Sequence, residues 1–351
     1  MTKTNSGNFF EDFRLGQSLR HATPRTVTEG DIALYTALYG PRFAFNSSAE
    51  FARQMGLATA PLDDLAAFHV VFGKTVPDVS LNAVANLGYA GGRFGVPVFP
   101  GDTLTTTSTV IGLKENSNKQ TGVVYVRSVG TNQKGEMVVD YVRWVMVRKR
   151  DVAAEITESK VPDLPGSVAA ADLVVPAGLN AAKYDTQLAG SAHLWDDYQP
   201  GEKIDHVDGT TIEEAEHMMA TRLWQNTAKV HFNQHTEGQG RFGRRLIYGG
   251  HIISIARALS FNGLGNAFKV AAINGGRHVN PTFAGDTIYA WSEVLEKMEI
   301  PGRTDIGALR LRLVALKNQP AADFTLKNAE GKDDSAVVLD FDYTVLMPRR
   351  A

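Results

Sequence analysis

Three segments in the first half of the chain alternate between apolar and polar residues. Such alternation is typical of strands that bury one face. The segments are DTLTTTSTVIGL (102–113), TGVVYVRSVGTN (121–132) and MVVDYVRWVMVR (137–148). Turn residues separate them, so the pattern predicts an antiparallel meander.

The second half contains an apolar segment with helical spacing, GGHIISIARALSFNG (249–263). Its apolar residues recur at positions i, i+3, i+4 and i+7, and Gly263 is a plausible C-terminal stop. Two capping boxes are predicted to begin other helices, one from Thr28 and Asp31 and one from Thr211 and Glu214. Helices that precede a meander favour an α+β fold, in which a sheet packs around a long apolar helix.

The chain contains an internal repeat, because four pairs of segments match in the same order. The pairs are 9–17 with 194–202 and 26–31 with 211–216 at an offset of 185, 91–104 with 275–288 at an offset of 184, and 139–150 with 339–350. Duplication explains this order better than coincidence. We therefore expect two units, 1–150 and 193–351. The Ala-, Pro- and Gly-rich segment 151–192 is expected to be an extended linker with a short helix.

Composition excludes several classes of protein. The chain has 351 residues, 43% of them hydrophobic, a formal net charge of −2 and no cysteine. Disulfides, thiolate nucleophiles and cysteine-ligated metals are thereby excluded, and no basic patch suited to nucleic acid is present. The chain begins without a signal-peptide pattern and has no long uncharged apolar run. We expect a cytoplasmic protein that binds neither nucleic acid nor a membrane.

Three further segments carry a resemblance to a known family: FGVPVFPGDTL (94–104), WQNTAKVHF (224–232) and IYGGH (247–251). Together with the repeat, they resemble the MaoC-like (R)-specific enoyl-CoA hydratases. That family has a double hotdog fold, in which each of two repeats wraps an antiparallel sheet around a central helix. The resemblance covers nearly all of the chain outside the linker.

The resemblance also implies a catalytic motif in the second half. The family has Asp-x-Asn-Pro-x-His, followed downstream by Ala-His-Gly at the start of the central helix. Here Asn226 stands in the place of the Asp and His231 in the place of the His. The tripeptide is replaced by Tyr248, Gly249 and Gly250, which we predict to bind substrate. In the first half, the same two motif positions are Pro41 and Asn46, so that half is predicted to be non-catalytic.

Hydration of an enoyl thioester requires a base for water, an acid for the α-carbon and donors for the enolate oxygen. We expect His231 to be the base, Asn226 to orient the water and the Gly250 amide to bind the oxygen. Three carboxylates are candidates for the missing acid: Asp63, Asp64 and Glu237. Arginines in GRFGRR (240–245) are candidates for binding the coenzyme A phosphates: Arg241, Arg244 and Arg245.

Each of these residues also has a structural interpretation. His231 could be a histidine satisfied by a backbone carbonyl, and Asn226 a turn residue. The two glycines could be a simple helix entry, the aspartates helix N-terminal charges, and the arginine segment a solvated loop. No metal site is predicted, because His231 and His235 lack a third ligand at suitable spacing.

The resemblance implies reversible hydration of a branched dicarboxylic enoyl-CoA, with mesaconyl-CoA giving β-methylmalyl-CoA. The acyl-CoA is then a substrate, and no cofactor is expected. Two alternatives stay open: an acyl-CoA thioesterase, which would release free CoA, and a non-catalytic acyl-thioester-binding protein. A homodimer is expected because hotdog sheets commonly pair at a strand edge.

Overall fold

The computed structural model describes residues 3–350. Its strands in the first half are β1 (Ser18–Thr26), β2 (Ala83–Phe94), β3 (Thr103–Glu115), β4 (Thr121–Thr131) and β5 (Met137–Arg148). Those in the second half are β6 (Lys203–Thr211), β7 (Lys269–His278), β8 (Thr287–Glu299), β9 (Ile306–Lys317) and β10 (Val337–Pro348). All ten form one antiparallel sheet in the order β1-β3-β4-β5-β2-β7-β10-β9-β8-β6.

Helices precede the meander in each half, as the sequence predicts. The first half has α1 (Glu29–Tyr39), α2 (Ala44–Ser47), α3 (Ala49–Gln54) and α4 (Asp64–Thr75), and α5 (Thr186–Ala189) lies between the halves. The second half has α6 (Glu214–Leu223), α7 (Lys229–Phe232), α8 (Gln234–Glu237), α9 (Gly249–Leu259) and a helical turn, α10 (Phe261–Leu264). Gly263 has a φ of 100°, a conformation that glycine adopts readily.

Each half-sheet curls around one apolar helix, α4 in the first half and α9 in the second. Every residue of α4 from Leu65 to Thr75 is buried, as is every residue of α9 from Gly250 to Arg257. A helix that is apolar on all sides must be covered on all sides, and the curled sheet provides that cover. The predicted double hotdog architecture is confirmed.

The two halves meet where β2 pairs with β7. Tyr89 lies opposite Gly276, and Ala90 lies opposite Gly275. The largest apolar cluster continues across this seam and includes residues of both halves, among them Phe72 and Tyr248. This edge is therefore paired within the chain, and β1 and β6 are the edges of the sheet. Both edge strands contain register irregularities, which discourage further pairing, so the homodimer stays a prediction.

One of the two predicted capping boxes is present. The Thr28 side chain accepts from the Asp31 amide, and α1 begins there. The box at Thr211 and Glu214 was wrong, because Thr211 ends β6 and pairs with Thr287 of β8. At the repeat offset Thr211 corresponds to Thr26, and Glu213 takes the N-cap position of α6 without a side-chain cap.

Residues 151–192 run along the surface of the sheet. Lys160 forms an isolated bridge with Leu113 of β3, and short helical turns occur at Ala170–Asp172, Ala181–Lys183 and α5. Val168 and Leu179 are buried in a second apolar cluster. The segment is therefore packed against both halves, with the short helical pieces that the sequence suggested.

Candidate active site

His231 lies in the single turn of α7 and is half-buried. Its Nδ1 lies 2.9 Å from the carbonyl oxygen of Leu246. A carbonyl only accepts, so Nδ1 carries the proton and Nε2 keeps a free lone pair. Burial lowers the pKa of His231 to about 4, although the hydrogen bond to Leu246 opposes this shift. The ring is therefore a neutral proton acceptor at pH 7.

Helix α9 begins beside His231 with an open N-terminus. Its N-cap residue, Tyr248, provides no side-chain cap, and the amides of Gly249 and Gly250 donate no hydrogen bond to any residue within 3–350. Both glycines are sterically required. A Cβ on Gly249 would lie 2.4 Å from the His278 ring, and one on Gly250 would lie 2.5 Å from the Tyr248 ring. Two free amides at a helix N-terminus form a site for a partial or full negative charge.

Two other histidines complete this surface. The ring centroids of His217 and Tyr248 lie 6.1 Å and 5.6 Å, respectively, from that of His231. The Tyr248 amide donates to His217 Nε2 at 2.9 Å, which places the His217 proton on Nδ1. His278, at the end of β7, packs its ring over Gly249. His231 contacts the Tyr248 ring and His278 packs against Gly249, so both rings lie at the first turn of α9.

The histidines around this turn are held neutral. Burial lowers the pKa of His217 to about 2, and neighbouring His251 and His231 lower it further. Burial also lowers the pKa of His278 to about 4, with His231 as the second cause. Neutral imidazoles accept or relay protons without adding positive charge to the site.

The first half contributes side chains to the same site. The hydroxyl of Tyr248 lies 3.3 Å from Nδ1 of His69 in α4, and the hydroxyl of Tyr89 in β2 lies 3.2 Å from Nε2 of His278. The Phe72 ring of α4 lies 5.8 Å from the Tyr248 ring. The site is therefore built at the junction of the halves.

Asn226 is buried, but its side chain serves the local backbone. Its Oδ1 accepts from the Ala228 amide at 3.0 Å and so shapes the turn that leads into α7. This is the turn interpretation considered from the sequence. The NH₂ group remains as a donor, so a role in orienting water depends on that group alone.

None of the three candidate acids forms a hydrogen bond or an ion pair with His231. Asp63 caps α4 by accepting from the Leu65 amide at 2.9 Å, while Asp64 pairs with Lys269. Glu237 is the last residue of α8. The two aspartates therefore lie at the N-terminus of α4 in the first half, as their interpretation as helix charges predicts.

The arginine segment lies just before the residue that holds His231. Arg245 pairs with Glu214 at the start of α6. The guanidinium of Arg244 stacks 4.0 Å from the Phe283 ring centroid, and that of Arg241 lies 5.0 Å from the ring of Phe242. Arg241 and Arg244 are exposed and therefore accessible to an anionic ligand, whereas Arg245 is already paired.

Sequence reasoning missed His217, His278 and the residues contributed by the first half. One signal for the two histidines was present in the repeat. At offsets of 185 and 184, His217 corresponds to Ile32 and His278 to Phe94. A titratable residue in one half that corresponds to an apolar residue in the other half marks a position at which the two halves differ in chemistry. The residues from α4 and β2 have no such signal, because only the fold brings them to the site.

Two further findings apply to residues 3–350. No helix there is long and apolar enough to cross a membrane. No group of three or more His, Asp or Glu side chains in that range is arranged to hold a metal ion.

Comparison with known proteins gives close relatives along the whole chain. A family model described as mesaconyl-CoA hydratase matches residues 1–326. The beta-methylmalyl-CoA dehydratase of Chloroflexus aurantiacus is 70% identical over 348 residues, 99% of each chain. The mesaconyl-CoA hydratase of Cereibacter sphaeroides is 63% identical over 349 residues, which cover 99% of this chain and 100% of the relative.

Solved structures agree with these sequence matches. The crystal structure of a MaoC domain protein dehydratase from Chloroflexus aurantiacus has a TM-score of 0.98 at 70% identity and covers 100% of both chains. A Mycobacterium tuberculosis protein with a double hotdog fold has a TM-score of 0.76 at 22% identity, covering 98% of this chain and 99% of its own. At that identity the second match supports the fold alone.

Proposed function

The chain belongs to the mesaconyl-CoA hydratase family, and from this premise we propose that it adds water reversibly to mesaconyl-CoA, giving β-methylmalyl-CoA. The observation that carries the proposal is the pairing of a neutral imidazole with an open helix N-terminus. Nε2 of His231 is free, and the amides of Gly249 and Gly250 begin α9 beside it. A base and an oxyanion site are the two elements that this reaction requires.

In the proposed reaction, the thioester oxygen accepts hydrogen bonds from the amides of Gly249 and Gly250. The helix dipole behind these amides stabilises the negative charge that develops on that oxygen. This interaction polarises the conjugated double bond and makes its β-carbon electrophilic. Because glycine has no Cβ, the thioester can approach the helix backbone closely.

His231 then removes a proton from a water molecule as the water oxygen bonds to the β-carbon. The electrons of the double bond move towards the thioester, which becomes an enolate held by the α9 amides. The imidazolium of His231 returns the proton to the α-carbon and restores the neutral base. One water is added in total, so a second acid is not needed to balance the step.

The absence of a carboxylate partner for His231 among residues 3–350 supports this single-base scheme. His278 packs against Gly249, lies within the electrostatic influence of His231 and provides an additional imidazole to relay the proton. Asn226 contributes the shape of the turn before α7 and one NH₂ donor. Proton transfer and oxyanion stabilisation suffice for the reaction, so the proposal includes no cofactor.

We assign the coenzyme A phosphates to the exposed arginines of the 240–245 segment. Arg241 and Arg244 are accessible and lie close in sequence to Leu246, which holds His231. Guanidinium groups bind phosphate through paired donors. A cytoplasmic location and a homodimer belong to the same proposal.

The test is an assay of purified protein with mesaconyl-CoA, monitored by the loss of enoyl absorbance and by mass spectrometry. We expect the absorbance to fall while the thioester gains the mass of one water. Release of free CoA would instead support thioester hydrolysis. Binding without any chemical change would support a non-catalytic role.

A further inference from the structure

Arg143 is a fully buried arginine in the middle of β5, with 0% of its surface exposed. One guanidinium nitrogen, Nη2, donates to Thr75 Oγ1 at 2.7 Å and to Ser80 Oγ at 3.3 Å. The Nε atom is buried and has no hydrogen-bond partner within residues 3–350. No carboxylate in that range lies within ion-pair distance of Arg143. A buried charge without a counter-ion is costly, so the site is incomplete as it stands.

Three other buried cations within residues 3–350 lie near carboxylates: Lys149, Lys269 and Arg257. Lys149 pairs with Glu115 at 2.8 Å, and Lys269 pairs with Asp64. Burial raises the pKa of Asp64, while Lys269 and Arg257 oppose that rise, so Arg257 also lies in the field of a carboxylate. Arg143 therefore differs from them in having no anion of its own.

Lys74 also lacks a carboxylate, but it is satisfied by neutral acceptors. Its ammonium donates to the side chains of Gln225 and Thr23. Arg143 is distinguished by the orphaned Nε and by complete burial.

Arg143 lies on the inner face of the sheet beside the candidate active site. Its Cζ is 4.3 Å from the ring centroid of Phe72, and that ring is 5.8 Å from the ring of Tyr248. Arg143 is also the cross-strand partner of Tyr89, whose hydroxyl reaches His278. Two neighbours of Arg143 therefore lead to the first turn of α9: Phe72 contacts Tyr248, and Tyr89 contacts His278.

The repeat strengthens the contrast between the halves. Segments 139–150 and 339–350 match, and Tyr343 occupies the position of Arg143 in the second half. Tyr343 neighbours Arg257, which lies in the field of Asp63 and Asp64 at the N-terminus of α4. Within residues 3–350 the junction has one buried arginine on each side, and of these two only Arg257 has protein carboxylates nearby.

Burial lowers the pKa of Arg143, and only tyrosines oppose that shift: Tyr141, Tyr89 and Tyr248. A carboxylate placed against the guanidinium would supply the opposing charge that the protein lacks. Arginine presents paired donors that match the two oxygens of a carboxylate. The hydroxyl of Tyr141, which is buried without a partner, provides one more donor in the same region.

Building on the proposed function, we propose that Arg143 binds the free carboxylate of the dicarboxylic acyl group. The first half would then select the substrate on which the second half acts. Mesaconyl-CoA carries this carboxylate at the end of the double bond away from the thioester. With the thioester on α9, the carboxylate would point across Tyr248 and Phe72 towards β5.

The test compares mesaconyl-CoA with (E)-2-methylcrotonyl-CoA, which has a methyl group in place of the carboxylate. For the R143Q variant, we expect kcat/KM for mesaconyl-CoA to fall about a hundredfold, mainly through KM. We expect kcat/KM for 2-methylcrotonyl-CoA to change less than threefold, roughly the scatter of a neutral substitution. R143K, which keeps the charge but not the fork, should recover part of the loss. An equal fall for both substrates would assign Arg143 a structural role and overturn the proposal.

The matched control is K149Q, which removes a buried cation far along the sheet from Tyr248. We expect it to leave the ratio of the two kcat/KM values unchanged. Should R143Q fail to fold, calorimetry on the unmodified protein tests whether the free carboxylate is recognised, and R143K tests whether Arg143 recognises it. Methylsuccinyl-CoA should bind at least tenfold more tightly than 2-methylbutyryl-CoA, and equal affinity would overturn the proposal.

These measurements also separate this inference from the proposed function. If the unmodified protein hydrates neither enoyl-CoA, the proposed function fails, yet preferential binding of methylsuccinyl-CoA would still support the carboxylate site. If it hydrates both equally well, the proposed function survives and the role of Arg143 is overturned.

Discussion

The two halves of the chain preserve one hydrogen bond while exchanging the residue that makes it. In the second half, His231 Nδ1 donates to the Leu246 carbonyl at 2.9 Å; in the first half, Asn46 Nδ2 donates to the Pro61 carbonyl at 3.2 Å. His231 and Leu246 correspond to Asn46 and Pro61 at the repeat offset of 185. The backbone frame has thus been kept, while the titratable ring is present in one copy only.

The N-terminus of the central helix differs between the two halves. In the first half, Asp63 caps α4 and Asp64 follows it, so protein carboxylates occupy the positive end of the helix. In the second half, the corresponding residues are Tyr248 and Gly249, and α9 is left without a cap. In the first half, the anion-binding end of the helix is thus occupied by carboxylates of the protein itself. In the second half this end of the helix is open, and we propose that it binds the thioester oxygen of a substrate.

Exchanging His231 for alanine provides the strongest test of this comparison. Loss of the base should lower kcat by a hundredfold or more. The matched control is N46A at the corresponding position, which should leave kcat within about threefold, because we assign no catalytic role to Asn46. Both rates follow from the loss of enoyl absorbance of mesaconyl-CoA. Full activity in H231A, or a hundredfold loss in N46A, would contradict the assignment.

A second test adds one methyl group at the start of α9. In G249A, the new Cβ would lie 2.4 Å from the His278 ring and force that ring to move. We expect kcat to fall by about tenfold to a hundredfold, because displacing catalytic groups by about an ångström has effects of that size. The displaced ring should also lower the free energy of unfolding, by roughly 1 to 3 kcal/mol, as overpacking does. The control is G166A, where a Cβ meets open space. Unchanged activity in G249A would show that the geometry of this turn is not critical.

The sequence predicts those parts of the candidate site that lie close together in the chain. His231 and the glycines at the start of α9 follow from short motifs, and the double hotdog from the repeat and its resemblance. His69, Tyr89 and Arg143 could not be predicted, because they reach the site through packing between α4, β2 and β5.

The error at Thr211 has a similar cause. A Thr-x-x-Glu spacing predicts a helix start wherever it occurs, but pairing with Thr287 extends β6 through this residue. Tertiary contact thus outweighed a local capping signal.

Acid should destabilise the folded protein through the histidines around α9. Burial holds their pKa values at about 2 to 4, as it does for His69, His217, His231, His251 and His278. Below about pH 6.5 these histidines bind protons in the unfolded chain but not in the folded chain. The free energy of unfolding therefore falls as pH falls from 6.5 towards 4. Each of these histidines should lower the free energy of unfolding by roughly 2 kcal/mol between pH 7 and pH 5.

The measurement is urea unfolding at pH 5 and pH 7. We expect H251Q, which removes one of these groups, to show a smaller difference between the two pH values than the unmodified protein. Equal stability of the unmodified protein at both values would show that these rings are not kept neutral.

A smaller effect, of opposite sign, is expected from the first half. Burial and the neighbouring Asp64 raise the pKa of Asp63 to about 6, whereas Arg257 opposes the shift. The folded state therefore holds this proton more tightly than the unfolded state, and the stability gained is lost as pH rises through 6. D63N keeps an N-cap side chain without the charge. Relative to that of the unmodified protein, the free energy of unfolding of D63N should rise by roughly 2 kcal/mol between pH 4 and pH 8.

The same variant tests whether Asp63, one of the three candidate acids, takes part in catalysis. Because we assign no proton transfer to Asp63, D63N should retain its kcat for mesaconyl-CoA. A hundredfold loss of kcat without loss of stability would mean that Asp63 supplies the proton to the α-carbon.

Calorimetric stoichiometry tests the asymmetry of the two halves most directly. Methylsuccinyl-CoA, a saturated analogue that cannot be hydrated, would be titrated into the unmodified protein. Of the two central helices, α9 has no side-chain cap at its N-terminus, whereas Asp63 caps α4, so one thioester should bind per chain. Two equivalent sites per chain would contradict the conclusion that the first half has closed its copy of the site.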